Sequence, residues 1–130
     1  MNDMNDIEGL LCDTRTHMYV YEKDGNFVIG LTDYGLGLIG DIVFVELPEV
    51  GTSYTKGEVF GTIESVKSVI ELSMPIGGTI ADVNLKLIEN PGLLNESPFE
   101  DGWLISISSD TAQEDSLDLL EYDDYKEELL

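Results

Sequence analysis

Positive charge is the scarcest feature of this 130-residue sequence: six lysine and arginine residues stand against 27 acids, a formal charge of −21. Phosphate contacts need clustered bases, so nucleic-acid binding is excluded as a function class. An anionic membrane surface is disfavoured for the same reason. The charge points instead to partners with basic docking faces, or simply to solubility or a salty habitat. Cysteine and histidine occur once each, as Cys12 and His17. One cysteine rules out an internal disulfide and a cysteine zinc cluster, and fits a reducing compartment. With one histidine and no Gly-x-Ser-x-Gly turn, no nucleophile–base pair is legible. No apolar run approaches the roughly 20 residues of a membrane-spanning helix. The first thirteen residues carry four acids and no base. That is the reverse of a transit peptide and lacks the basic start of a secretory signal. A cytoplasmic location is expected, or the mitochondrial matrix for a processed chain.

What is present reads as strands. The length suits one domain with its own core. A lead-in over residues 1–15, with a short strand at Ile7 to Leu11, is followed by alternation over Thr16–Tyr21 and over Phe27–Leu31. Asp24-Gly25 between them is a hairpin turn. Thr32 or Asp33 caps a short helical turn whose three glycines keep it short. Ile42–Leu47 is a strand stopped by Pro48. Residues 89–98 read as a helical turn between prolines, and Trp103–Ile107 as a strand with Trp103 in the core or at a seam. From Ser109 the spacing of Leu117, Leu119, Leu120, Tyr122, Tyr125, Leu129 and Leu130 predicts one or two amphipathic helices, over Gln113–Leu120 and Glu121–Leu130.

The chain is organised around Lys67. On its C-terminal side Ile70, Leu72, Met74 and Ile76 share one face at period two, with Glu71, Ser73 and Pro75 opposite. On its N-terminal side Val59, Gly61 and Ile63 alternate with Phe60, Thr62 and Glu64. Between the two strands Ser65-Val66-Lys67-Ser68 forms the turn, with the lysine in water. The turn lacks the Gly, Asn or Asp that hairpins usually recruit. Gly57 lies ten residues before Lys67 and Gly77 ten after it.

Glu64-Ser65-Val66-Lys67-Ser68 resembles the lipoyl-lysine site of glycine cleavage system H proteins, where lipoate is attached to the lysine of a Glu-Ser-Val-Lys motif. Thr32-Asp33-Tyr34, the run Gly40-Asp41-Ile42-Val43-Phe44-Val45-Glu46-Leu47-Pro48-Glu49-Val50-Gly51, and Asn95, Glu96, Pro98, Gly102, Trp103 and Leu104 are also similar to that family. So is the helical C-terminus, and the likeness covers residues 17–130. A His-Glu-Trp-Val run of the family is matched only at His17 and Val20. His17 reads as a packing or surface residue.

The resemblance implies a mainly β fold: a flattened lipoyl/biotinyl-type β-barrel (barrel-sandwich hybrid) over residues 16–109, with short helices and an acidic C-terminal helical segment, 110–130. It implies a non-catalytic, monomeric carrier with lipoate on Lys67 and Glu64, Val66, Ser68 and Glu71 around it. Its partners would be glycine dehydrogenase (decarboxylating), aminomethyltransferase, dihydrolipoamide dehydrogenase, and a lipoate ligase or lipoyl/octanoyl transferase. After the lysine the family usually reads Ala-x-Ser-Asp-x-Tyr-x-Pro, where this chain has Ile70 and Ser73 for the Ser and Tyr and Glu71 for the Asp. In the family the loaded arm retracts against this segment, so the departure leaves an alternative open: an H-like lipoyl carrier or lipoate-relay protein serving another enzyme. A biotin carrier is the third reading, opposed by Val66 and Ser68 where biotinyl domains favour methionine. An unmodified acidic interaction module belongs to that third class too.

Overall fold

A computed structural model describes residues 9–130. Of the strand expected at Ile7 to Leu11, the part before Gly9 lies outside the described residues. Leu11 opens β1 (Leu11–Cys12), which is followed by β2 (Met18–Lys23), β3 (Asn26–Leu31), α1 (Asp33–Ile39), β4 (Ile42–Glu46) and β5 (Ser53–Tyr54). Next come the lysine strands β6 (Val59–Ser65) and β7 (Val69–Ser73), then β8 (Gly78–Val83), α2 (Lys86–Glu89) and α3 (Leu93–Glu96). The chain ends with β9 (Ile105–Ser108), α4 (Ala112–Asp115), β10 (Leu120–Glu121) and α5 (Tyr122–Glu128).

The strands form two antiparallel sheets, one in the order β10-β1-β2-β3-β9-β8-β5 and the other β4-β6-β7. The mainly β expectation holds, and the flattening goes as far as a sandwich: the two sheets are not closed into a barrel. Pro48 follows β4 and Pro75 follows β7, and a residue without an N–H cannot carry either strand onward into a shared ladder. The inner faces meet in a core that includes Met18, Ile29, Leu31, Ile63, Leu72, Met74, Ile80 and Ile107.

Local chemistry explains most boundaries. Asp24 (φ 53°) and Gly25 (φ 85°) both take the left-handed conformation, which a tight hairpin between right-twisted strands demands. The expected strand Thr16–Tyr21 starts two residues late because His17 is itself left-handed, at φ 62°. Thr32 caps α1, its hydroxyl accepting from the Gly35 N–H.

The C-terminal segment departs from the periodicity. Of the helix expected over 113–120 only residues 113–115 are helical, as the end of Ala112–Asp115, and Leu120–Glu121 is a strand paired with Leu11–Cys12. Helix resumes at Tyr122. That pairing also ties residues 11–12 of the expected lead-in to the sheet. A short strand completed by a partner over a hundred residues away leaves no periodic signature.

A second core cluster joins Cys12, Tyr19, Phe99, Tyr122 and Tyr125. Burial, with Asp33 adding repulsion, pushes the Cys12 thiol from its ordinary 9.0 up to about 12. Burial also raises Tyr125 to about 12, and moves Tyr19 and Tyr122 in the same direction. Groups whose folded pKa exceeds the unfolded value stabilise below the unfolded value, and lose that contribution as pH rises towards the folded one. The urea midpoint should therefore fall as pH rises from about 9 to 12, and native Cys12 should resist thiol reagents at pH 8. A midpoint flat to pH 11 would contradict this.

Candidate functional site

The β6–β7 hairpin pairs Glu64 with Val69, Ile63 with Ile70, Thr62 with Glu71 and Gly61 with Leu72. One face therefore carries Ile63 and Leu72 into the core, and the other carries Thr62, Glu64, Val69 and Glu71 outward. A bulge between Val59 and Gly61 shifts the phase at the base. It buries Phe60 and leaves Val59 exposed, so the alternation is broken at the start of β6. Leu72, Met74 and Ile76 are buried, as their period-two spacing predicts, and Ile70, expected on the same face, is half-buried near the tip. At the base, the Gly57 N–H donates to Met74 and the Met74 N–H to Glu58.

The turn closes without a left-handed residue. The Ser65 N–H donates to the Ser68 carbonyl at 2.9 Å, and the Ser65 hydroxyl accepts from the N–H groups of Lys67 (3.3 Å) and Ser68 (3.1 Å). A buried serine oxygen thus fixes the turn where Asn-Gly would fix another. Local reading of the motif does not single out Ser65 as a site residue, although a serine opening a glycine-free turn is a legible signal. Val66, Lys67 and Ser68 are exposed at the tip, and among the described residues Lys67 has no ion-pair partner.

Glu64, half-buried, lies in the outer row with Phe44 and Val69. Glu71, exposed, lies in the next row with Thr62 and Glu46. The structure therefore brings the expected residues onto one hairpin, with both glutamates on its outer face. β7 also walls a cleft of about 310 Å³ between the hairpin and α1, where Ile70, Glu71, Leu72 and Ser73 face Leu38 and His17. No reading of local sequence places His17 there. Its Nδ1 lies 2.7 Å from the Tyr125 hydroxyl, which is 2.8 Å from Thr32 Oγ1. Burial lowers the pKa of His17, partly opposed by Asp13. Trp103 is half-buried against the second core cluster, a seam position.

Comparison with known proteins agrees with this geometry. Residues 11–130 match the family model "Glycine cleavage H-protein". The glycine cleavage system H protein of Listeria innocua is 42% identical over 116 residues, 89% of this chain and 92% of that protein. That of Prochlorococcus marinus is 50% identical over 96 residues, 74% of each chain. The crystal structure of a glycine cleavage system H protein from Mycobacterium marinum superposes with a TM-score of 0.82 at 29% identity, covering 92% of this chain and 95% of that one. The chain belongs to the glycine cleavage H-protein family.

Proposed function

We propose that this chain is the lipoyl carrier of the glycine cleavage system, with lipoate joined by an amide to Lys67. The observation that carries the reading is the placement of Lys67: exposed, without an ion-pair partner among the described residues, on a turn locked by Ser65, at the tip of a hairpin whose second strand walls a cleft from Ile70 to Ser73. A free lysine amine, with a pKa of about 10.4, is protonated and inert at neutral pH. Lipoate, when attached, supplies a dithiolane that takes up the aminomethyl group of glycine and is restored by thiol–disulfide exchange. The chain's own residues fit such a group. The tip offers an unobstructed primary amine, and the cleft offers apolar side chains from Ile70 and Leu38, with Glu71 to face a cationic amine.

In this reading the chain catalyses nothing. It visits glycine dehydrogenase (decarboxylating), aminomethyltransferase and dihydrolipoamide dehydrogenase in turn, after a lipoate ligase or lipoyl/octanoyl transferase has modified Lys67. Glu46, Glu64 and Glu71 give the small sheet a negative outer face that suits basic docking surfaces, with association weakening as salt rises.

The test is to lipoylate the recombinant protein, incubate it with glycine and glycine decarboxylase, and follow the intact mass. The expected result is one aminomethyl increment per chain. Glu71→Gln should lose that increment severalfold faster, because it removes the carboxylate facing the amine. Failure to load would sink the reading. Ile70, apolar where the family usually has serine, favours the second reading, a lipoyl carrier or relay for another enzyme. Transfer of the lipoyl group to an acyltransferase domain would then be the positive result.

A further inference from the structure

We propose that Tyr125, on the C-terminal helix α5, is a positioning residue: its hydroxyl holds the His17 ring so that Nε2 can accept a hydrogen bond from an ammonium group brought into the cleft. The ammonium rests on the carrier reading above, whereas the positioning of the ring does not.

The ring is held from several sides. The His17 N–H donates to Asp13 O and its carbonyl accepts from the Thr32 N–H, both at 2.9 Å. A non-glycine residue at φ 62° costs energy and persists only where the surroundings demand it. Here they do: the His17 Cβ lies 2.7 Å from where a Cβ on Gly35 would be, so the side chain lies directly on α1. The ring packs against Tyr34 and Tyr125, with centroids 5.1 and 5.8 Å away. Nδ1 is engaged by Tyr125, and among the described residues Nε2 has no hydrogen-bond partner.

The hydroxyl pair makes this arrangement adjustable. Thr32 Oγ1 already accepts from the Gly35 N–H at 3.0 Å. Tyr125 has one proton to give and two neighbours, Thr32 and His17. If Thr32 donates to Tyr125 and Tyr125 donates to Nδ1, the ring carries its proton on Nε2 and offers the cleft a donor. If Nδ1–H donates to Tyr125 and Tyr125 donates to Thr32, Nε2 becomes an acceptor. An ammonium can only donate, so its presence selects the second order. Tyr125 is protonated at neutral pH as any tyrosine is, and burial raises its pKa further, to about 12.

The charged groups around the ring are Glu71 and Arg15, which line the same cleft, and Asp13. Asp33, at the start of α1, is engaged by the Tyr122 hydroxyl at 3.0 and 3.1 Å. Arg15 is paired with Asp13 and Asp118, so in this proposal Glu71 supplies the countercharge to the ammonium and Nε2 a second acceptor.

Because His17 is the only histidine, long-range proton–nitrogen NMR of the ring is unambiguous. Unmodified wild-type protein at neutral pH should show both tautomers in exchange. Tyr125→Phe keeps the ring shape but leaves Nδ1–H without an acceptor, so it should show the Nε2–H tautomer alone. Loading the lipoylated wild-type protein from glycine should move the ring to the Nδ1–H tautomer. In Tyr125→Phe it should not, and the load should be lost about fivefold faster. Identical tautomer ratios in the two unmodified proteins would overturn the positioning role. An unchanged His17 ring in loaded wild-type protein would overturn the contact with the amine and needs no variant. If Lys67 cannot be loaded at all, the carrier reading fails, and the unmodified proteins still decide the role of Tyr125.

Discussion

Lys67→Arg should abolish lipoylation completely while leaving the melting temperature within about 2 °C of wild type. The two halves of this expectation have separate causes. Amide formation needs a primary amine that can shed its proton, and a guanidinium with a pKa above about 12 cannot supply one. Stability should be unchanged because the side chain at the tip is exposed and joins no ion pair or hydrogen bond among the described residues. Surface changes of this kind cost less than about 0.5 kcal/mol. The turn is held by the Ser65 hydroxyl and by backbone, none of which the substitution touches. Intact mass after incubation with a lipoate ligase reads the first half, and a thermal scan of the same sample reads the second. A modified variant would place the attachment elsewhere.

Gly61→Ala should cost about 2–3 kcal/mol and lower the melting temperature by roughly 10 °C. A Cβ at Gly61 would sit 2.4 Å from the Glu46 carbonyl oxygen on β4. The obstructing atom is backbone in a paired strand, since Glu46 opposes Thr62, so it cannot rotate aside as a side chain would. Relief must come from parting β4 and β6 or from deepening the bulge at Val59/Gly61. Gly37→Ala is the internal control. It lies exposed in α1, with nothing within 4 Å of where its Cβ would sit, and should gain up to about 1 kcal/mol from helix propensity. Equal midpoints for the two variants would refute the clash argument.

The acidic composition bears on docking rather than on fold. The three outward glutamates of the small sheet belong to a chain of formal charge −21, so under the proposed function encounter with a basic partner surface should slow as ionic strength rises. Net charge of this kind shapes association and solubility without selecting one architecture over another.

The sequence by itself determined the mainly β class, the shared face of Ile70, Leu72, Met74 and Ile76, the Asp24-Gly25 hairpin, and the lysine at a turn within a family motif. Each is written in neighbouring residues, at period two or in turn chemistry, and so survives without knowledge of the fold. Tertiary structure decided what distant residues do together. It turned Leu120–Glu121 from expected helix into a strand by offering Leu11–Cys12 as partner. It buried Phe60 through a bulge set by pairing with β7, and opened a cleft between β7 and α1. It also joined His17 to Tyr125 across 108 residues and Tyr125 to Thr32 across 93. Such contacts are selected by the packing of two sheets and a terminal helix, and no local propensity encodes them.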